Sequence, residues 1–339
     1  VAIANFTFER KYFMEAYTIL VKFPTRQRKE KFFETLDKYI ELSSVPDNIK
    51  YIVICDEDDK TMNNAQVKTR LKTYTNLQVV YGDSKTKIEA VNAPMPDIPF
   101  DILVLASDDM VPVVQGWDVS IQEAFSKHFP DLDGVVWFSD GYQKEKLNTL
   151  PILGKKYFQR FGYIYFPAYV TWWADNEFME VANILKRQVY IPDVIIEHRH
   201  PDNIGSEYDE LYRKNNNHQG DREIFRRRKE NHFFIKTLLI IQPGRTGDIL
   251  INLPIAKKLS ENYIVSWFCP KEYHDIFDNI DYVRPTDNRA GRYDVVLDLS
   301  FGFGGAPEGW WQQNKTLFDS FVRAKYFLAG IDINERWNL

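Results

Sequence analysis

The chain has 339 residues, 44% hydrophobic and 15% aromatic, with a formal net charge of -5. That is about two domains' worth of sequence with enough apolar material for real cores, and the charge argues against a dedicated nucleic-acid binder. The longest apolar runs, such as Tyr51 to Cys55, stop at about five residues, where a bilayer span needs roughly 20. Val1 to Tyr17 mixes charge with aromatics and lacks a signal peptide's apolar core. Cys55 and Cys269 sit in apolar, strand-like runs in different halves of the chain. They read as reduced core residues, and the expected location is cytoplasmic.

In chain order, Tyr17 to Phe23 (YTILVKF) reads as a strand, and Arg26 to Leu42 as a helix with Phe32, Phe33, Leu36, Tyr39 and Ile40 at helical spacing. Lys50 to Cys55 is the next strand and Met62 to Tyr74 a helix; Leu77 to Tyr81 is a third strand, Lys85 to Asn92 a short helix, and Asp101 to Ala106 a fourth strand. Strands alternating with helices imply crossover connections and a mostly parallel sheet, apolar throughout because both faces are covered. Ligands of such sheets bind beyond the carboxyl ends of the strands.

Those ends carry FPTRQR (Phe23 to Arg28), DEDD (Asp56 to Asp59), YGDSKTK (Tyr81 to Lys87) and SDD (Ser107 to Asp109). Arginine and lysine suit phosphate oxygens, carboxylates suit a metal or the donor groups of a base or ribose, and the mixture suits a metal-bound nucleotide. Two adjacent aspartates, Asp108 and Asp109, fit a turn or a cation clamp. The convergence of four charged ends on one edge favours the clamp.

Gly134 to Phe138 reads as another strand, and Tyr163 to Trp173 (YIYFPAYVTWW) is strongly aromatic, a pattern that suits core or ligand wall. Asp175 and Glu177 precede the helical pattern Phe178 to Lys186 and fit either a helix cap or a general base. Val189 to His200 (VYIPDVIIEHRH) reads as one strand ending in His198 and His200, two residues apart and so on one face.

The ordered set strand–PTR, strand–DEDD, TKIEA, strand–SDD, DNE and strand–HxHP resembles the family 2 type of nucleotide-sugar glycosyltransferase over about residues 15 to 205. The resemblance implies the GT-A fold, a Rossmann-like α/β architecture with a mixed, mostly parallel sheet and flanking helices. It also implies a metal-dependent, inverting transfer of a sugar from a nucleotide donor, most simply a UDP-sugar, to an acceptor hydroxyl on a glycan or another molecule. Phe23, Pro24, Thr25 and Arg26 would lie along the nucleotide, with Asp56 and Asp58 at its base and Lys87 near the ribose or diphosphate. Ser107, Asp108 and Asp109 match the DxD-type motif, with Asp109 the direct ligand of Mn2+ or Mg2+. His198 or His200 would complete the metal site. Asp175 matches the catalytic base, but the family often has Glu–Asp where this chain has Ala174–Asp175, which leaves Asp175 and Glu177 both open.

Around Arg222 to His232 charge rises and the apolar pattern lapses, which marks a boundary. The expected division is an extension over 1–14, a catalytic domain over 15–232 and a smaller Rossmann-like α/β domain over 233–339. In the last, Lys236 to Gln242, Tyr263 to Phe268 and Asp294 to Leu299 read as strands, with helices at Ile249 to Ser260 and near Glu272 to Asp278. The GRTGD turn is not a P-loop, since no Gly-Lys-Ser/Thr follows. LLIIQPGRTGDILINLPIAKKL resembles the N-terminal half of heptosyltransferase-type GT-B enzymes, and Asp248 would match an acceptor-side aspartate. The donor-binding half has no room before Leu339, so the expectation is either a cut chain or, favoured, a non-catalytic role in acceptor binding or assembly. Phe301 to Trp311 reads as a flexible loop.

Three competitors remain open. A nucleotidyltransferase would carry a glycine-rich turn after the first strand, which FPTRQR lacks. A glycan-binding or assembly module would bind no nucleotide. A transferase acting on modified DNA would use the basic run Arg222 to Lys229 on phosphates and bind with a steep salt dependence.

Overall fold

The computed structural model describes residues 17–205, 218–300 and 321–338; the 1–14 extension and the Phe301 to Trp311 loop lie outside the described residues. The chain divides into two units, with Glu180–Arg187 grouped with the second and the other break after Ile224.

In the first unit β1 (Ile19–Pro24), β2 (Ile49–Asp56), β3 (Leu77–Gly82) and β4 (Ile102–Leu105) alternate with α1 (Lys29–Glu41), α2 (Ala65–Leu71) and α3 (Lys87–Asn92). There follow β5 (Met110–Pro112), α4 (Trp117–His128), β6 (Val135–Phe138), β7 (Ile152–Gly154), α5 (Lys155–Phe161), α6 (Ala174–Ile184), β8 (Gln188–Ile191), β9 (Ile196–His198) and α7 (His218–Glu230), the last parts of α6 and α7 being grouped with the second unit. The seven-stranded sheet has the order β3-β2-β1-β4-β7-β6-β8. Its pairings are parallel except those of β7, which runs against β4 and β6. The fold class is therefore α/β, with a mixed, mostly parallel sheet.

The side-chain periods explain the packing. β1 and β2 are buried on both faces, and α1 turns Phe32, Phe33, Leu36 and Tyr39 inward. Phe32 meets Phe23 edge-to-face at 4.8 Å, and Tyr39 meets Trp117 of α4 at 5.1 Å. Each such buried ring or leucine contributes about 2 kcal/mol through lost water contact. Lys22 is the exception inside β1: it is 2% exposed, donates to the Ala93 carbonyl at 2.6 Å, and burial lowers its pKa to about 8.

Two expectations need correction. Val189 to His200 is two strands in two sheets: β8 joins the large sheet, while β9 pairs antiparallel with β5 in a separate ribbon. Pro192, which has no N–H to give a ladder, opens the break between them. His198 therefore ends β9, and His200 lies beyond it, just before the helical turn Pro201–Ile204. The charged stretch at Arg222 to His232, where the boundary is expected, is largely the helix α7. The expected helix near Glu272 is a 3-10 segment, Lys271–Phe277.

The second unit holds β10 (Thr237–Ile241), α8 (Thr246–Leu259), β11 (Ile264–Phe268), β12 (Arg284–Thr286), β13 (Val295–Asp298) and α9 (Phe321–Leu328). Its four-stranded sheet is parallel throughout, in the order β12-β11-β10-β13. Asp248 of α8 lies 3.7 Å from the amine of the buried Lys325, which also donates to Gln242 at 2.8 Å. Cys55 and Cys269 are both buried and free.

Candidate active site

Because β1 to β4, β6 and β8 run the same way, their carboxyl ends share one edge. A cavity of about 530 Å³ lies there, lined wholly by the first unit. Every site residue expected from the sequence lines it except Phe23 and Glu177. Phe23 points into the core, and Glu177 is 3% exposed and accepts from the Tyr169 hydroxyl at 2.7 Å.

One wall is a lattice of charge. Arg26 donates to Asp56 at 2.7 Å and to both oxygens of Asp58, at 2.6 and 2.9 Å, so its guanidinium is held in a plane. Asp56 also accepts from the Ser84 amide at 3.3 Å. Lys87 is the first residue of α3, whose start follows from TKIE: the Thr86 hydroxyl accepts from the Glu89 amide, and the Glu89 carboxylate accepts from the Lys85 amide.

The aspartates after β4 divide in character. Asp108 is 8% exposed, meets Arg28 at 3.1 Å, and its backbone carbonyl accepts from Thr35 at 2.9 Å. Burial raises its pKa to about 6 although Arg28 pulls the other way. For Asp109 burial also pushes upward, but His198, the Ser107 hydroxyl and Lys87 outweigh it and hold the carboxyl well below its usual range.

The β5–β9 ribbon explains the meeting of Asp109 and His198. Met110 pairs with His198, and the Arg199 amide donates to the Asp109 carbonyl at 2.7 Å. His198 Nε2 thereby lies 3.7 Å from Asp109 Oδ2. On its other side, Nδ1 lies 3.8 Å from Asp140 Oδ2, and among the described residues no partner comes within hydrogen-bond distance of this buried nitrogen. Burial alone would lower the imidazole pKa; the two carboxylates raise it to about 9. The His200 ring stands 5.5 Å from that of His198.

Asp140 escaped the sequence reading. It follows β6 as Asp108 follows β4, with Ser-Asp in the loop after each strand, and applying the strand-end rule to Gly134 to Phe138 would have found it. Its carboxylate accepts from the amides of Tyr142 and Gln143, at 2.8 and 2.7 Å, and from the Thr149 hydroxyl at 2.9 Å. Burial opposes ionisation, but these donors and His198 bring its pKa down to about 2. Arg28, within the quoted FPTRQR, likewise gained meaning only from its contact with Asp108.

On the remaining wall Trp172, Tyr165 and Asp175 face the cavity. Asp175 lies in the first turn of α6 and accepts from the Asn176 amide at 2.9 Å. Burial raises its pKa above the carboxylate norm, against the pull of Lys87.

An aspartate oxygen and an imidazole nitrogen suit a divalent cation such as Mn2+. Among the described residues no three His, Cys, Asp or Glu side chains gather into a cage made by protein alone. Asp140, placed behind His198, suits the carboxylate that commonly backs a metal-binding histidine.

No protein-family model and no curated protein sequence matches the chain. Among solved structures it is similar to the mannosyltransferase PcManGT from Pyrobaculum calidifontis in complex with GDP-Man and Mn2+, at 15% identity and TM-score 0.45, over 54% of this chain and 57% of that one. It is also similar to S. aureus TarS 1-349 in complex with UDP, at 13% identity and TM-score 0.44, over 72% of this chain and 80% of that one. Against a longer TarS structure it shows 12% identity and TM-score 0.43, over 57% of this chain and 41% of that one. The chain thus spans little more than half the length of the mannosyltransferase. Among the described residues, no helix is long and apolar enough to cross a membrane.

Proposed function

We propose that the chain is a metal-dependent glycosyltransferase that moves a sugar from a nucleotide diphosphate sugar to an acceptor hydroxyl with inversion. The observation that supports this reading is the presence in one cavity of the Asp109–His198 pair, of the cations Arg28 and Lys87, and of Asp175. Asp109 and His198 would hold Mn2+ or Mg2+, which when bound neutralises charge on a leaving diphosphate.

The other tasks fall to the chain itself. Asp56 and Asp58, with Arg26 locked between them, present acceptors to a nucleobase, with a uridine nucleotide the first choice. Lys87 offers an ammonium to phosphate oxygens. Asp175 takes the proton of the acceptor hydroxyl as that oxygen attacks the anomeric carbon from the side opposite the leaving group; its raised proton affinity suits a base. Glu177, already bonded to Tyr169, supports the wall behind it. Trp172 and Tyr165 give the acceptor an apolar face and help exclude water. We assign this chemistry to residues 15–232, and to residues 233–339 a part in acceptor binding or assembly.

The test is incubation with UDP- and GDP-sugars and simple glycoside acceptors, with and without Mn2+. Released nucleotide and the product's anomeric configuration are read by NMR. Metal-dependent release with an inverted product supports the proposal; retention of configuration, or no release from any donor, overturns it.

A further inference from the structure

The first turn of α7, just ahead of the charged stretch that reads as a boundary, reaches back some fifty residues to the aromatic wall of the cavity. Asp221 is 0% exposed. Its Oδ1 accepts from the Val170 amide at 3.0 Å, and its Oδ2 from those of Thr171 and Trp172, at 2.9 and 2.8 Å. Three consecutive backbone donors thus converge on one carboxylate, an arrangement that offsets the cost of burying it. His218, three residues earlier and so on the same helix face, sets its ring 5.7 Å from that of Trp172 and 5.8 Å from that of Trp173.

The backbone held this way is strained. Trp173 has φ +66°, a region that bulky side chains rarely adopt, and such a conformation persists where the surroundings over-determine it. The next two residues are Ala174 and Asp175, the start of α6. The same segment is tied at its other end by Asn92, whose Oδ1 accepts from the amides of Ile164 and Tyr165 and whose Nδ2 donates to the Tyr165 carbonyl at 2.6 Å. The wall is therefore pinned on both sides of Phe166 to Tyr169.

We propose that Asp221, assisted by His218, is a positioning residue: it fixes the Val170 to Trp173 turn and so delivers Trp172 and Asp175 to the cavity. The catalytic meaning rests on the glycosyltransferase reading, but the placement itself is measurable without turnover. An aspartate serving only to start α7 would stabilise the fold without governing how the wall moves.

The experiment compares the full chain with Asp221→Asn, in which an amide group replaces one accepting oxygen. Hydrogen exchange is followed in peptides covering residues 163–178 and the central strands. UDP affinity with Mn2+ and the steady-state constants are measured alongside. Exchange at Val170 to Trp172 should rise about tenfold or more while β1 and β2 keep their protection. UDP affinity and donor KM should stay within about twofold while kcat falls about 100-fold, the cost of a misplaced reacting group. Wild-type exchange at these amides in the variant overturns the placement. Equal losses in UDP affinity and kcat reduce Asp221 to a fold-stabilising residue and overturn its positioning role. If Asp221→Asn does not fold, His218→Ala must show a smaller rise in exchange confined to the same peptide, and an unchanged pattern there refutes the clasp. Should wild-type protein transfer no sugar, the exchange arm still decides the placement while the functional reading fails separately.

Discussion

Asp140 stands behind His198: its carboxylate is 3.8 Å from Nδ1, its backbone carbonyl accepts from the His198 amide at 3.0 Å, and the far ring nitrogen faces Asp109 at 3.7 Å. Side chain and backbone of one residue thus orient an imidazole toward Asp109, the residue proposed to share a cation with it. Asp140→Asn should weaken Mn2+ binding about 10- to 100-fold, the usual effect of losing such a partner. Electron paramagnetic resonance of free Mn2+ in the presence of UDP measures this directly; unchanged affinity would leave Asp140 a loop anchor and no more.

Asp175 should act only when ionised. Burial raises its pKa, so kcat should fall as pH drops through that raised value and level off above it. Asp175→Asn should cost at least about 100-fold in kcat at every pH, with donor binding retained. Glu177→Gln, lying outside the cavity, should cost less and leave the pH profile in place. The reverse pattern in a pH–rate series would transfer the base role to Glu177.

The basic run on α7 is largely spent within the protein. Arg226 pairs with Glu230, Lys229 with Glu180, and Arg228 is 7% exposed with its guanidinium near the Phe233 carbonyl. The double variant Arg222→Ala, Arg227→Ala should leave turnover on a small glycoside within about twofold, and turnover should depend weakly on salt, unlike phosphate-dominated binding. A steep salt dependence in the wild type that the variant loses would restore a nucleic-acid acceptor.

Gly154 ends β7, the antiparallel strand that separates β4 from β6 and so places Asp140 opposite Asp109's side of the site. A Cβ there would stand 2.2 Å from the Leu132 carbonyl oxygen, and Leu132 itself has φ +58°. Backbone cannot yield as a side chain does, so Gly154→Ala should destabilise by about 3 kcal/mol. Denaturant unfolding followed by tryptophan fluorescence checks it; a loss near zero would mean that the Leu132 turn gives way freely.

The sequence revealed most where one physical rule dominates. β1, β2 and β4 are buried on both faces and β3 is mostly apolar, so their runs stand out, and the strand-end rule then gathers Arg26, Asp56, Lys87 and Asp109 without knowledge of any contact. β5 and β7, three residues each, are too short to show a period, although β5 brings Asp109 to His198. α4 hides because Asp118 and Gln122 are buried beside its apolar residues, which blurs the polar face. Asp221 was out of reach for another reason. Its partners lie about fifty residues earlier, and its neighbours in sequence are charges that face water.

The central claim is that a nucleotide and a divalent cation bind together at Asp109 and His198. Calorimetric titration of UDP into the protein, with and without Mn2+, tests it most directly. The account predicts binding that strengthens at least about tenfold when Mn2+ is present and that Asp109→Ala abolishes this gain. UDP binding indifferent to Mn2+, or a metal-dependent gain that survives Asp109→Ala, would contradict it.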